Sequence, residues 1–138
     1  MNIADIQDEI IEEFQLFPDW ESKYEYVLDM GNKLEPLDDS SKTDAHLVQG
    51  CTSKAWIMAD LVDGKIHFSA DGETAIARGI LALVLRVLND QKPEDILNTE
   101  LYFPERIGLK DHLSITRAQG LESLIKKIYQ LASQYPHD

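Results

Sequence analysis

The sequence predicts an α+β domain: a small antiparallel three-stranded sheet with helices packed on one face. Two observations predict it. Asp63-Gly64 separates two runs of alternating residues, Ala55 to Val62 and Lys65 to Ala70, which is a strong two-residue hairpin signal. On both sides of the hairpin the apolar period changes to the helical one, with Ile3, Ile6, Ile10 and Phe14 before it and a long apolar run from Ile76 to Leu88 after it. The 138 residues, 43% of them hydrophobic, suffice for one domain with its own core, spanning 1–138.

The elements follow in order. Residues 3–16 read as an amphipathic helix that Pro18 ends. Asp19 is placed to cap a second helix, with Tyr24, Val27 and Leu28 facing inward and Gly31 near its end. Residues 35–44 are rich in turn formers and read as an exposed connection. In the hairpin, a two-residue turn pairs Val62 with Lys65, Leu61 with Ile66, Ala59 with Phe68 and Ile57 with Ala70. That register gathers Leu61, Ile66, Ala59, Phe68, Ile57 and Ala70 on one face, and a one-residue slip destroys the separation. On the other face His67 stands opposite Asp60. His46 to Gln49 reads as a third short strand, with Cys51 at the tip between it and the hairpin. Asp71-Gly72 opens a helix from Glu73 to about Asn89 that is apolar nearly all round and therefore buried. Pro93 and Pro104 break residues 90–112, leaving one short helix after Pro93. Thr116-Arg117-Ala118-Gln119 fits a capping box, and Leu121, Leu124, Ile125, Ile128 and Leu131 form the inward stripe of a last helix.

Charge narrows the partners. Net charge is −12, and residues 1–44 hold 13 acids against 3 bases. Such a chain repels nucleic acid and anionic membrane; its acidic surface either solubilises or steers toward a basic protein. The longest strongly apolar stretch, Gly79 to Leu85, is far shorter than the roughly 20 residues of a membrane span. One cysteine and no basic n-region at the start point to the cytoplasm.

Cys51 is the only cysteine, set in Val48-Gln49-Gly50-Cys51-Thr52-Ser53-Lys54-Ala55-Trp56. A lone thiol forms no internal disulfide and no multi-cysteine metal site, but as a thiolate it attacks electrophiles or accepts sulfur. It then needs a nearby positive charge. Lys54 is close in sequence, and Arg117 lies in the first turn of a helix, where free N–H groups add positive potential. His46 and His112 are available as bases, which keeps a cysteine-dependent hydrolase or transferase as the alternative reading. No spacing of cysteine and histidine supports zinc or an iron–sulfur cluster, so neither a metal nor a cofactor is expected.

The segment Val48 to Ile57 resembles the cysteine-loop motif of the SufE-type sulfur acceptors, and Leu113-Ser114-Ile115-Thr116-Arg117-Ala118-Gln119-Gly120-Leu121 resembles that family's second signature. Trp20, Tyr24, Leu28 and Gly31 near the start, and Pro93-Glu94-Asp95-Ile96 between the motifs, fit the family order as well. The resemblance implies a fold like the iron–sulfur scaffold proteins. It implies a partner, a pyridoxal-phosphate cysteine desulfurase that holds sulfur as a persulfide, and an iron–sulfur scaffold downstream; a homodimer is allowed. Carried over by residue, Cys51 becomes the persulfide-bearing nucleophile, Arg117 the arginine beside it and Glu73 an acidic neighbour of the loop. It further implies that the loop tucks Cys51 against apolar side chains and then swings out to the partner.

Overall fold

The computed structural model describes residues 2–49 and 53–136. Helices α1 (Ile3–Gln15) and α2 (Trp20–Asn32) open the chain, and strands β1 (Ala55–Val62) and β2 (Lys65–Gly72) form the hairpin. Helix α3 (Ala75–Leu88) follows, then three short helices, α4 (Pro93–Leu97), α5 (Phe103–Arg106) and α6 (Leu109–His112), and finally α7 (Ile115–Ser133).

Capping residues set the helix starts. Asn2 accepts from the Asp5 amide, Asp19 from Ser22, Thr74 from Ala77 and Ser114 from Arg117. Two sequence expectations shift accordingly. The central helix starts at Ala75 rather than Glu73, because β2 runs on to Gly72 and Thr74 is the cap. The last helix starts at Ile115 with Ser114 as its cap, so Thr116 to Gln119 is first-turn helix and not a capping box. Residues 90–112 hold three short helices where one was expected: Pro104 opens the first turn of α5, and Gly108, at φ 80°, redirects the chain into α6.

The hairpin register is the expected one in every pair, from Val62 with Lys65 to Ile57 with Ala70, and it extends to Trp56 with Asp71 and Ala55 with Gly72. Asp63 and Gly64 make the turn, both with positive φ. Among the described residues the sheet has two strands, not three. The expected strand at 46–49 reduces to a single bridge, Leu47 to Trp56. The reason is local. The amides of His46 and Leu47 turn back to the carbonyls of Thr43 and Asp44, so the chain reaches the β1 edge for only one bridge. On the outer edge of β2, Asn89 acts in place of a strand: its side-chain amide accepts from the Phe68 N–H and donates to the Phe68 carbonyl.

Helix α3 packs on β2 and crosses α2, and its buried residues with Ile57, Ile66, Phe68 and Ala70 form the centre of the core. Leu61, on the same sheet face, is exposed, although its ladder partner Ile66 is fully buried. Tyr24 is also exposed; Val27 and Gly31 make the inner contacts of α2 instead. At the crossing, a Cβ on Gly79 would lie 2.4 Å from the Val27 carbonyl oxygen, and one on Gly31 would lie 2.6 Å from the Gly79 nitrogen. Beside it, Arg86 donates to both carboxylate oxygens of Glu13 and to Glu9, and the Tyr26 hydroxyl donates to Glu13. Among the described residues no helix is long and apolar enough to cross a membrane.

Candidate functional site

Gly50, Cys51 and Thr52 lie outside the described residues, and with them the expected position of Cys51 at a loop tip. The ground on either side is described. The approaching chain is tied to β1 by the Val48 amide donating to the Ala55 carbonyl (2.8 Å) and the Ile57 amide donating to the His46 carbonyl (2.8 Å). The departing chain is tied to the start of α3. The Lys54 amide donates to Glu73 Oε1 at 2.7 Å, the Glu73 amide donates to the Lys54 carbonyl at 2.9 Å, and Ser53 Oγ lies 3.5 Å from Thr74 Oγ1. Both flanks of Cys51 are thereby anchored to regular structure.

An apolar pocket of about 50 Å³ opens between these flanks. Val48, Ser53 and Ala55 come from the chain around Cys51, Ile80 and Leu81 from α3, and Thr116, Arg117, Leu121 and Leu124 from α7. That is several times the roughly 10–15 Å³ needed to hold one water, enough for the tip of a small side chain. Arg117 is therefore brought to the Cys51 flanks across some sixty residues of sequence, half-buried, in the first turn of a helix whose unpaired amides add positive potential. A larger groove, about 440 Å³, lies between residues 33–37, β2 and α3. Three of its polar side chains are already committed: Arg86 to the glutamates, Asn89 to Phe68, and His67 to Asp90 at 3.1 Å. His67 thus pairs with Asp90 rather than with Asp60, its opposite number in the ladder.

Glu73 is an exposed residue whose carboxylate holds the backbone of Lys54, so the structure gives it a positioning contact. The histidines of the alternative reading are engaged elsewhere. His46 Nδ1 lies 2.8 Å from the Ser41 carbonyl, and His112 Nδ1 lies 2.8 Å from the Gly108 carbonyl with its ring stacked on Trp20 at 4.1 Å. Neither lines the pocket. Among the described residues no three or more His, Cys, Asp or Glu side chains are grouped to hold a metal ion.

Sequence reading missed Asp71. It is 4% exposed, accepts from the Leu37 and Gly72 amides, and faces the Lys42 ammonium at 3.4 Å. A signal was present. Extending the hairpin register by one pair sets this acid opposite Trp56, at the root of the cysteine segment.

Comparison with known proteins gives a consistent result. Residues 8–132 match a family model, SufE, described as "Fe-S metabolism associated domain". An uncharacterized SufE-like protein of Rhizobium meliloti is 34% identical over 126 residues, covering 88% of this chain and 90% of that protein. Another, from Synechocystis, is 36% identical over 132 residues, covering 91% and 83%. The solution structure of a hypothetical protein from Thermus thermophilus superposes with a TM-score of 0.77 at 19% identity, over 94% of each chain, which establishes the shared fold. By the family match over most of its length and by these relatives, the chain belongs to the SufE family, associated with iron–sulfur metabolism.

Proposed function

We propose that this protein accepts sulfur from a pyridoxal-phosphate cysteine desulfurase onto Cys51, stimulates that enzyme, and passes the sulfur toward iron–sulfur cluster assembly. The observation that carries the reading is Arg117, which lines one small apolar pocket together with Val48 and Ser53, the residues flanking the Cys51 segment. A guanidinium at a helix start lowers the cost of a thiolate or persulfide anion, and apolar walls exclude water. In the transfer, the Cys51 thiolate attacks the outer sulfur of the desulfurase persulfide. A new S–S bond forms on Cys51, the donor S–S bond breaks, and the desulfurase cysteine leaves as a thiolate that takes up a proton. No electrons enter or leave, so the acceptor needs no redox cofactor of its own. The apolar walls in this reading also shield the product, since low-pKa thiolates and persulfides are readily oxidised. In this reading Glu73 positions the chain and does not touch the sulfur.

The test is the mass of the Cys51 peptide after the protein, a cysteine desulfurase and free cysteine are incubated together. The wild type should gain one sulfur atom on Cys51, reversible by a thiol reductant. Cys51→Ser should fold normally and gain none. Arg117→Ala should slow the transfer roughly fivefold, the effect of about 1 kcal/mol of lost charge stabilisation. Sulfur found on the serine variant, or turnover of a substrate by the protein alone, would end the acceptor reading.

A further inference from the structure

We infer that Asp71, through Lys42, is the positioning residue that fixes the chain segment leading to Cys51 and so sets the reactivity of that cysteine. This rests on the sulfur-acceptor reading for its biological meaning, but not for its test.

The geometry of residues 37–48 carries the inference. This stretch has one short 3-10 turn, Asp39–Ser41, and otherwise no regular structure before the bridge at Leu47. Its own backbone bonds reach only three residues along the chain, from Ser41 to Asp38, Lys42 to Asp39, His46 to Thr43 and Leu47 to Asp44, so the tie of residues 37–42 to the hairpin must come from elsewhere. The Asp71 carboxylate supplies that tie at two points. Its Oδ2 accepts from the Leu37 amide at 3.2 Å and faces Lys42 Nζ at 3.4 Å, while Oδ1 is occupied by the Gly72 amide at 2.8 Å. Lys42 in turn lies 5.5 Å from the centroid of the Trp56 ring and 3.5 Å from Asp39. Trp56 is the ladder partner of Asp71 and forms the bridge with Leu47. The Asp71 carboxylate on β2 therefore ties Leu37 and Lys42 to the hairpin, Lys42 adds the contact to Trp56 on β1, and the chain then runs on to Val48 in the pocket wall.

The choice of a charged group is informative. A carboxylate this buried is costly to desolvate, and a well-packed apolar pair is often as stable as a buried ion pair. What an ion pair adds is a demand for one geometry, since a misplaced segment leaves the carboxylate without its cation. Partial desolvation works against the Lys42 ammonium, yet hydrogen bonding and charge from Asp71, then Asp39, outweigh it and hold the lysine above its ordinary pKa. Asp71 and Glu73 then divide the work: Asp71 anchors the chain before Cys51, and Glu73 anchors the chain after it.

The test is alkylation of the native, isolated protein by iodoacetamide, which needs no desulfurase. Asp71→Asn and Lys42→Gln should each speed alkylation of Cys51 roughly fivefold, the scale of one lost charge-assisted hydrogen bond, in native protein held well below a urea midpoint that the broken pair itself lowers. Lys42→Arg keeps the cation and should return the rate to that of wild type. If Asp71→Asn fails to fold, the partly exposed Lys42 decides the matter alone. Wild-type alkylation in Lys42→Gln, or an Lys42→Arg rate as high as that of Lys42→Gln, overturns the proposal. A wild type that accepts no sulfur sinks the function proposed above and leaves this result standing. In a coupled transfer assay, the same variants should lower the maximal transfer rate and leave the half-saturating desulfurase concentration unchanged, a split that a general loss of stability does not produce.

Discussion

Where α2 crosses α3, Gly31 and Gly79 let two backbones touch; around the pocket, Asp71 and Glu73 hold chain segments by hydrogen bonds to amides. The first region is fixed by atoms that have nowhere else to go, because close-packed interiors relax little. The second is fixed by polar contacts, worth about 1 kcal/mol net at the exposed Glu73, where water can replace either partner, and more at the buried Asp71. The contrast separates two jobs. Packing at the crossing keeps the hairpin and α3 in place, and polar anchors at the far end hold a reactive segment that must still meet a second protein. Variants at the crossing should therefore change stability and leave transfer per folded molecule alone. Variants at the exposed anchor, Glu73, should do the reverse.

The largest effect should come from Gly79→Ala. The added Cβ would meet the Val27 carbonyl oxygen at 2.4 Å and Val27 Cγ1 at 2.6 Å, and backbone cannot move aside as a side-chain tip can. Overpacking of this kind costs about 3 kcal/mol, and the better helix propensity of alanine returns about 1, so urea unfolding should show a loss near 2 kcal/mol. Sulfur acceptance measured well below the unfolding midpoint should match wild type. Equal stability would mean that the two helices slide apart freely, and the contrast would lose its first half.

Next comes Glu13→Gln, on the polar side of the same crossing. The hydrogen bond from Arg86 is the main cause holding the Glu13 carboxyl below its ordinary 4.5; burial opposes it and the Tyr26 hydroxyl adds to it. A folded-state pKa below the unfolded one means that the group stabilises the fold fully above pH 4.5, and that this contribution is lost as pH falls through the folded value. Removing the charge should cost about 1 kcal/mol near neutral pH, since the pair is partly exposed. The gap between wild type and variant in urea midpoint should narrow as the solution is acidified below pH 4.5. A gap that is constant or widens in acid would assign the loss to packing and place this cluster with the glycines.

The two regions also differ in how legible they were. The hairpin could be read to the residue because period two and a two-residue turn leave one register that segregates the apolar side chains. The long helices followed from apolar spacing in the same way. The short elements did not, because α5 and α6 are single turns set by tertiary contacts such as Gln7, whose buried amide holds the Tyr102 and Phe103 N–H groups from ninety-odd residues away. The third strand failed for a related reason: His46 to Gln49 has strand-like composition, but the turn that starts at Thr43 and Asp44 decides how much of it reaches the edge. At the site, Arg117 is legible from its place in the first turn of a helix and Glu73 only through family resemblance; Arg117 lines the pocket wall and Glu73 holds the Lys54 amide. Asp71 was passed over because an acid beside a glycine reads as a turn, and nothing local reveals that Lys42 and Leu37 return to it.

The smallest effect concerns the acidic surface, and the crossing bears on how to test it. Residues 1–44 hold 13 acids and 3 bases, and steering toward a basic partner is one use of such an excess. Not all of that charge is free to steer. Glu9 and Glu13 are bound to Arg86, so reversing Glu13 would damage the fold and confuse the result. Glu12 on α1 and Glu25 and Asp29 on α2 are exposed and lie clear of the helix starts, and their reversal to lysine should leave stability within about 0.5 kcal/mol. If the acidic helices steer docking, the triple reversal should lower the association rate with the desulfurase several-fold at low salt. The difference should vanish as salt shortens the screening length below ~8–10 Å. The dissociation rate should barely change, because exposed charges act on encounter more than on the formed complex. A salt-independent association rate, equal in wild type and variant, would assign these carboxylates to solubility. Recognition would then rest on the end of the molecule that carries Cys51 and Arg117, the end held by exchangeable contacts.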